Sequence, residues 1–413
     1  MRAARGAGHL PGPRAGAGRC GAGGGGHRED GRAAAVACDC DVGPGEYHAG
    51  IRSLPHNTPR RVLLVYNTDY DEELKRDSPI DVSAVQAAAQ AVCRAAGDYG
   101  FECELMGLHG LDLDRLLGRL RQDPPDLVFN LCESLNGDTR NEVVVPAVLD
   151  MLRVPYTGPG PLALALCLDK QRAKQVLIQQ GIPTPEYRVV RSLAELPNGD
   201  VGPDPHGLRD LPYPQFVKLL REDASIGIEA SNLVDDVDAL VRRARELLLE
   251  HRQPVLVETY VEGREVNVTV LGNGSEARVL PLHEIDFAKL PPDRPRVLTY
   301  AAKWDEKHVD YIGTVPVRMT DVPPRVERSI HDVALRCFHA LGLSDYGRVD
   351  LRLDAAGKPW VIDVNPNCDL SPDAGLPRTA RSVGLDYPQI IGRICELAWR
   401  RHVGDHPRAQ TGS

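Results

Sequence analysis

From about residue 60 onward, short apolar runs alternate with amphipathic stretches. RRVLLVYN is an apolar run suited to a buried strand, and FECELMGL and PDLVFNLCE supply two further strands. An alanine-rich helical stretch from Val82 to Ala96 and the helix-like LDRLLGRLRQ fall between these runs. This alternation of strand and helix predicts a doubly wound parallel sheet over roughly residues 60 to 160.

The pattern changes after that region. VPYTGPG marks a turn-rich passage into a helix from Asp169 to Gln180, which Gly181 and Pro183 end. YRVV, QFVKLL and VLVETYV have the composition of strands, and residues 235–251 of a helix. EVNVTVLG and ARVLPLHE then alternate apolar and polar residues, which predicts an antiparallel sheet with flanking helices. The predicted fold class is therefore α/β with α+β character.

These patterns divide the chain into two tails and three domains. The first segment is rich in Gly, Ala and Arg and has too few large apolar side chains to offset the entropy of ordering, so we expect it to be disordered or to precede the true start of translation. Neither of its two GxGxxG matches follows a predicted strand, and the high glycine content of the segment explains both. The predicted segments are a tail at 1–58, an N-terminal α/β domain at 59–160, a small central domain at 161–257, a C-terminal antiparallel-sheet domain at 258–402 and a flexible tail at 403–413.

The composition of the chain disfavours several classes of function. The 413 residues include 58 acidic and 49 basic side chains, and the net charge of -9 gives no general attraction to nucleic acid or to an anionic membrane surface. No apolar run reaches the roughly 18 residues of a membrane span, so a cytoplasmic location is predicted. The 10 cysteines form no CxxC pair, and we interpret them as reduced thiols.

Three oxygen-bearing side chains near the C-terminus are the strongest chemical signal. Asp350 in GRVDLRL and then Asp363 and Asn365 in WVIDVNPN lie on two strands, which the turn DAAGK joins as an antiparallel hairpin. Strand alternation places Asp363 and Asn365 on one face with Val361. Carboxylate and amide oxygens without His or Cys suit Mg²⁺, which also binds substrate phosphates. The alternative is a polar sheet edge or a helix-capping cluster.

Cations and small residues complete the pattern of a nucleotide site. Lys170, Lys218 and Lys303 lie on separate elements, and a triphosphate with its metals needs dispersed positive charge. The alternative for any one lysine is a solvated surface charge, which the apolar flanks of FVKLL make weaker for Lys218. Ser225 and Gly227 in ASIGI could bring backbone N–H groups onto phosphate oxygens, or form an ordinary turn.

Taken in order, the motifs resemble the ATP-grasp superfamily and, within it, the D-alanine:D-alanine ligase group, over roughly residues 60 to 400. The resemblance implies an ATP-grasp architecture in which the nucleotide lies between the sheets of the central and C-terminal domains. It also implies ATP and Mg²⁺ as cofactors, with two ions and with Mn²⁺ as an alternative. The motifs are FNLCESLNGD, VPYTGPGPLALALCLDK, VKLLREDASIGIEAS, VLVETYVEGREVNV, TYAAKW, YGRVDLRL and VIDVNPN.

The resemblance also implies roles for individual residues. Glu258 would lie beside the adenine amino group and Glu265 would bind the ribose hydroxyls, the alternative being a charged hairpin tip. Arg348 would stabilise the oxyanion of a tetrahedral intermediate, and a salt bridge to a neighbouring carboxylate is a compatible alternative. The implied catalytic residues are Arg348, Lys303 and Ser225. The implied nucleotide-binding residues are Lys170, Lys218, Ser225, Gly227, Glu258, Val261, Glu265 and Lys303.

The amino-acid half of the motifs departs from the family pattern. Asp223 and Ala224 stand where the dipeptide ligases usually have Gly and Ser, and Trp304 stands at a tyrosine position. Separately, Asp363 of the metal triad replaces the usual Glu. VYNTDYDEE and NPNCDLSPDAG also differ from the usual first turn and second-substrate segment. The candidate substrate contacts are Glu133, Asn136, Trp304, Asn367, Asp369 and Ser371.

The sequence therefore predicts an ATP-dependent ligase that joins a carboxylate to an amine through an acyl phosphate. Its substrate would be D-alanine, another small amino acid or a peptide. The sequence leaves open whether the chain forms a homodimer. The alternatives are a catalytically silent ATP-binding module, whose expected sign is decay of the metal ligands or Arg348, and a kinase on the same scaffold. No GxxxxGK[ST], HExxH or GxSxG string occurs, which disfavours Walker-type ATPases, zincins and serine hydrolases.

Overall fold

The computed structural model describes residues 59–68, 82–198 and 202–405. The predictions for the tail at 1–58, for the chain after 405 and for most of the VYNTDYDEE turn lie outside the described residues. Within the described ranges, every cysteine carries a free thiol. A search of the same ranges finds no helix with the length and hydropathy of a membrane span.

The N-terminal sheet has three parallel strands in the order β2-β1-β3, as the alternating pattern predicted. Successive residues of its central strand face opposite sides: Val62 and Leu64 pack with α1 and the last helix of the chain, whereas Leu63 and Val65 pack with α2 and α3. Both faces are therefore covered. The elements are β1 (Arg61–Asn67), α1 (Val82–Tyr99), β2 (Glu102–Leu108), α2 (Leu113–Gln122), β3 (Leu127–Leu131) and α3 (Val144–Leu152).

Two helices follow where the sequence predicted one. They are α4 (Pro161–Leu168), which begins at a proline, and α5 (Lys170–Gln179). Asp169 separates them because its backbone is extended, with a ψ of 94°, and its carboxylate caps α5 by accepting a hydrogen bond from the Arg172 N–H at 3.1 Å.

The central sheet is antiparallel, with strand order β4-β7-β5-β6. Helix α6 covers one face: Leu240, Ala244 and Leu247 recur at helical spacing and pack on Val217 and Val257. This leaves the other face of the sheet available for the cleft described below. The elements are β4 (Tyr187–Val190), β5 (Gln215–Leu219), β6 (Leu233–Val234), α6 (Val237–His251) and β7 (Val255–Thr259).

The C-terminal sheet is also antiparallel, with strand order β11-β10-β8-β12-β13, and β9 pairs with β8. The stretch ARVLPLHE forms two strands instead of one, because Pro281 cannot donate to a ladder. The elements are β8 (Arg264–Leu271), β9 (Arg278–Val279), β10 (His283–Asp286), α7 (Tyr300–Trp304), α8 (Val309–Gly313), β11 (Val315–Arg318), α9 (Pro324–Ala340), β12 (Tyr346–Leu353), β13 (Pro359–Asn365), α10 (Gly375–Arg381) and α11 (Tyr387–Asp405).

Strand alternation gives this sheet one apolar and one polar face. Val266, Val268, Val349 and Leu351 enter a core with α9, so the intervening residues of β8 and β12 point to the opposite side. The chain passes from β7 directly into β8 through a turn at Gly263, whose φ is 141° and where a Cβ would lie 2.0 Å from the Leu353 carbonyl oxygen. Only glycine fits there.

A buried carboxylate joins the N-terminal segment to the C-terminal sheet and the last helix. Asp345 is 0% exposed, and it accepts hydrogen bonds from the Gly158 N–H at 2.9 Å, Asn273 Nδ2 at 2.8 Å and Arg401 at 2.9 Å. Three donors from separate segments compensate the burial of this charge. The network therefore fixes the position of α11 against the turn that precedes α4.

Beside this network, His402 makes stability depend on pH. Its Nε2 accepts a hydrogen bond from the Tyr156 N–H at 3.2 Å, and burial together with Arg401 lowers the pKa of His402 to about 4. Because the folded state favours the neutral ring, this stabilisation is complete above the unfolded pKa of about 6.5 and is lost as the pH falls towards 4. Through this group the free energy of unfolding changes by at most about 1.4 kcal/mol per pH unit, and the partial exposure of His402 reduces that slope.

We therefore expect the urea midpoint of the wild type to fall more between pH 7 and pH 5 than that of His402→Asn, which keeps a neutral acceptor at both values. Measuring both proteins removes the contribution of other carboxylates that titrate in the same range. Equal falls in the two midpoints would contradict this role of His402.

Candidate active site

A cleft that is open to solvent lies between the central and C-terminal sheets. Its walls come from β5 and β7 on one side and from β8, β12 and β13 on the other, and the loop after β5 and the segment before α7 close its ends. Eleven of the residues predicted from the sequence line it: Lys170, Lys218, Ser225, Glu258, Val261, Glu265, Lys303, Arg348, Asp350, Asp363 and Asn365.

The predicted oxygen donors meet on the polar face of the C-terminal sheet. Asp350 and Asp363 are directly paired across β12 and β13, and Asn365 Nδ2 donates to Asp350 Oδ2 at 3.0 Å. Asn267 Nδ2 donates to the other oxygen of Asp350 at 2.8 Å. Asp350 is 8% exposed and lies on β12, which has a strand on each side, whereas Asp363 and Asn365 lie on β13 at the edge of the sheet.

A β-bulge changes one detail of the predicted hairpin. The register shifts between Asp350 and Leu351, so that Val361 pairs with Leu351 and enters the apolar core, whereas Ile362 lines the cleft. The expectation that Val361 shares a face with Asp363 is therefore wrong. A bulge adds a residue to one strand and reverses the alternation beyond it.

The three predicted lysines of the cleft are buried or partly buried, against the alternative of solvated surface charges. Lys170 and Lys218 are each 5% exposed. Lys170 Nζ lies 3.4 Å from Asp223 Oδ1 and 3.7 Å from Asp363 Oδ1. Although burial alone would lower the pKa of Lys170, these two carboxylates raise it, and Lys170 and Lys218 in turn lower the pKa of Asp363 against the effect of burial. Both groups therefore remain charged.

Glu258 is held by two lysines, one of which the sequence analysis missed. Lys218 Nζ lies 2.6 Å from Glu258 Oε1, and Lys174 Nζ lies 2.7 Å from Oε2. Lys174 also donates to Thr184 Oγ1 at 2.6 Å. The two cations lower the pKa of Glu258 despite its burial. Spacing could have indicated Lys174, because it follows Lys170 by four residues on one face of α5.

Arg348 and Lys303 bring further positive charge to the triad. Arg348 donates from Nε to Asp350 Oδ1 at 2.8 Å and from its terminal nitrogen to Oδ2 at 2.9 Å, so the predicted salt bridge exists. Burial lowers the pKa of Arg348, but the neighbouring Asp350 carboxylate outweighs this effect, so that the pKa is raised. Burial and the neighbouring Arg348 lower the pKa of Lys303.

The loop after β5 has a strained backbone. Ala224 and Ser225 both have positive φ, 54° and 63°, which is uncommon for residues other than glycine. Ser225 Oγ donates to the Leu298 carbonyl at 3.2 Å, which ties the loop to the segment before α7. Gly227 is not among the residues that line the cleft; its carbonyl instead accepts from Asn232 Nδ2 at 2.8 Å.

Glu258 and Glu265 are buried in the cleft, at 3% and 8% exposure, which excludes a charged hairpin tip. Burial raises the pKa of Glu265, and Arg352 opposes that shift. Val261, between the two glutamates in the sequence, also lines the cleft.

None of the six candidate substrate contacts is among the residues lining the nucleotide cleft. The Trp304 indole is 51% exposed and donates from Nε1 to the Ala224 carbonyl at 3.2 Å, so it borders the loop after β5. Asp369 accepts hydrogen bonds from both the N–H and the hydroxyl of Ser371, at 2.7 and 2.6 Å. Asn136 is exposed, with a positive φ of 54°.

Glu133 and Asn367 belong to an acidic region beside the cleft. Glu133 reaches solvent, yet the surrounding protein raises its pKa to about 8, and the carboxylates of Asp369 and Asp223 add to this shift. Asn367 Nδ2 lies 3.5 Å from Glu142 Oε1, a carboxylate that is 7% exposed and that the sequence analysis missed. Burial raises the pKa of Glu142 well above its usual value, as do Asp223 and Glu133.

The family model for the D-alanine–D-alanine ligase C-terminus matches residues 176–396. The D-alanine–D-alanine ligase of Desulforudis audaxviator is 31% identical over 315 residues, which cover 76% of this chain and 93% of that protein. The chain belongs to the D-alanine–D-alanine ligase family. The uncharacterized protein y4sG of Sinorhizobium fredii is 32% identical over 289 residues, covering 68% of this chain and 79% of its own length.

Solved structures of the family show the same fold. The D-alanine–D-alanine ligase of Bacillus anthracis complexed with ATP superposes with a TM-score of 0.63 at 21% identity and covers 84% of this chain and 100% of its own. The predicted ATP-grasp architecture is therefore confirmed. As a member of this family the chain is an ATP-dependent ligase that forms a peptide bond, and ATP and a divalent metal are its implied cofactors.

Proposed function

We propose that this ligase binds ATP in the cleft between its central and C-terminal sheets and joins the carboxylate of one small amino acid or peptide to the amine of another. The observation that carries the proposal is the convergence of Lys218, Lys303, Arg348 and the three oxygen donors on this one cleft. The family resemblance supports an orientation with the adenosine at Glu258 and Glu265 and the phosphates at Lys303 and the oxygen donors, and Lys218, which pairs with Glu258, would lie between the two.

The donor set at the phosphate end fits magnesium. Asp350, Asp363 and Asn365 offer two carboxylates and one amide oxygen, a hard set that suits Mg²⁺ shared with substrate phosphates. In the described part of the chain, no cluster of three His, Cys, Asp or Glu side chains offers a competing metal site. We propose that these three residues hold two Mg²⁺ ions, with Mn²⁺ as a substitute. When bound, the metal would neutralise charge on the transferring phosphoryl group.

The reaction that this geometry favours has two steps. A carboxylate oxygen of the first substrate attacks the γ-phosphorus of ATP, so that ADP leaves and an acyl phosphate forms. Lys218 and Lys303 stabilise the negative charge of the transferring group, and Lys170 holds the loop after β5 near it. The amine of the second substrate then attacks the acyl carbon, the C–O bond breaks and phosphate leaves. Arg348 stabilises the oxyanion of the tetrahedral intermediate that this attack forms. Ser225 and the strained loop cover the phosphates.

The acidic region beside the cleft supports an amine substrate that arrives as an ammonium ion. Glu133, Glu142 and Asp369 have no ion pair with any Lys, Arg or His among the described residues. A cationic group entering there would relieve repulsion between carboxylates. Relatives are named for D-alanine, so D-alanine is the first candidate for both positions, and other small amino acids or peptides are the alternative.

Glu133→Gln and Asp369→Asn are each expected to raise the KM for the amine by about tenfold, because each removes a carboxylate that the bound ammonium ion would keep ionised and pair with. The KM for ATP should stay within about twofold of the wild type, since neither residue lines the nucleotide cleft. Initial rates at varied amine and at varied ATP separate the two constants. Asp332→Asn, an exposed carboxylate change on α9, is the matched control. An unchanged KM for the amine in both variants would reject this role.

The proposal is tested by measuring ADP release across D- and L-amino acids and short peptides, with hydroxylamine present as a trap. A carboxylate–amine ligase gives a hydroxamate from the acid substrate and incorporates the amine in its absence. A kinase would phosphorylate its substrate without incorporating an amine, and a silent module would release no ADP with any pair. Either of the last two results would refute the proposed function.

A further inference from the structure

Arg352 is a buried cation of the cleft whose guanidinium is fully occupied by the protein. It follows Arg348 and Asp350 on the polar face of β12 and is 3% exposed. A guanidinium has five N–H donors, and each one has an acceptor here. The acceptors are the carbonyl oxygens of Val261 at 2.9 Å, Arg296 at 3.0 Å and Gly263 at 3.1 Å, Tyr260 Oη at 2.8 Å and Glu265 Oε2 at 3.2 Å.

These acceptors belong to two segments that enclose the adenosine end. Residues 260–263 form the connection from β7 into β8, which carries Glu265, and Arg296 directly precedes Val297 and Leu298, which also line the cleft. Tyr260 reinforces the link, because its hydroxyl donates to the Arg296 carbonyl at 3.0 Å and its ring lies 4.8 Å from the guanidinium. The Arg352 side chain thus joins these two segments.

We propose that Arg352 is a positioning residue for the nucleotide: it fixes the Val261 peptide and the Glu265 carboxylate and fastens the segment carrying Val297 and Leu298 over them. This inference rests on the proposed binding of ATP in the cleft. With all five donors used, Arg352 has none left for phosphate, which separates its role from that of Lys218. Its removal would also leave Glu265 buried without its closest cation.

The test compares Arg352→Met, Arg352→Lys and Tyr260→Phe with Arg336→Met, which removes an exposed guanidinium on α9 outside the cleft. Arg352→Met should raise the Kd of AMP and the KM for ATP by a similar factor of about tenfold or more, with kcat at saturating ATP within about threefold. Arg352→Lys should restore part of the loss, because a lysine retains the charge and up to three donors. Tyr260→Phe should give a smaller rise in both constants.

Unchanged binding of AMP in Arg352→Lys and Tyr260→Phe would overturn the inference, and so would a fall in kcat without a rise in KM for ATP. These two milder variants decide the question if Arg352→Met does not fold. Failure of the proposed ATP binding in the cleft gives a different result, because the wild type itself would then not bind AMP or ATP.

Discussion

Asn365→Ala and Asp350→Asn are expected to lower kcat by a factor of about 10³ or more, because each removes a donor from the triad that would hold the metal at the transferring phosphoryl group. Asn365 lies at the end of β13 and its loss opens little of the core, so its variant should keep the wild-type thermal midpoint. Asp350→Asn also leaves the buried Arg348 without its carboxylate, which costs stability.

The measurement is the steady-state rate of ADP release at increasing Mg²⁺, with circular dichroism to establish folding. Asp332→Asn on α9 serves again as the control for an exposed carboxylate. A metal role predicts that Asn365→Ala needs a higher Mg²⁺ concentration for half-maximal rate. Retained turnover with an unchanged Mg²⁺ dependence would contradict the assignment of the triad.

Arg348→Met is expected to lower the rate of amide formation by about 10²- to 10³-fold, the usual cost of removing one oxyanion donor. The Kd for ATP should stay within about threefold, because in this account Arg348 acts on the acyl carbon and not on the nucleotide. Asp350 keeps hydrogen bonds from Asn267 and Asn365 in this variant, so part of its burial cost remains compensated.

Two assays separate this role from a purely structural salt bridge. Hydroxylamine should still trap the acyl phosphate in Arg348→Met, whereas amine incorporation should be lost. If only the salt bridge matters, Arg348→Lys, which restores a cation beside Asp350, would recover both activities fully. Full recovery in Arg348→Lys would therefore argue against oxyanion stabilisation.

The sequence predicted well which residues line the cleft between the central and C-terminal sheets, because their positions depend on local patterns. The alternation in GRVDLRL and WVIDVNPN placed Asp350, Asp363 and Asn365 together across one hairpin, and the structure has that hairpin. The apolar flanks of Lys218 likewise predicted burial. Each of these inferences uses strand periodicity over fewer than about ten residues.

The sequence analysis missed, or predicted wrongly, the features that depend on tertiary packing. The bulge that turns Val361 into the core depends on the register with β12, and no residue type in WVIDVN marks it. Arg352 resembled any other charged strand residue, since its five acceptors come from segments up to 92 residues away. Helix α11 packs on the N-terminal sheet, a contact that no local pattern specifies.

The substrate side was the least predictable part. Glu142 lies in a stretch without strong periodicity, and only the fold brings it near Glu133 and Asn367. Cys368, between Asn367 and Asp369, packs in the core of the N-terminal sheet at 5% exposure. Loop residues such as these take their positions from several elements at once, so spacing along the chain carries little information about them.

The transfer of oxygen from the acid substrate to phosphate tests the central claim most directly. The acid substrate found by the ADP-release screen is labelled with ¹⁸O in its carboxylate, and the phosphate formed with the amine and ATP is analysed by mass spectrometry. Formation of an acyl phosphate in this cleft predicts one ¹⁸O atom in each phosphate released. Phosphate free of ¹⁸O, formed together with the amide product, would contradict it.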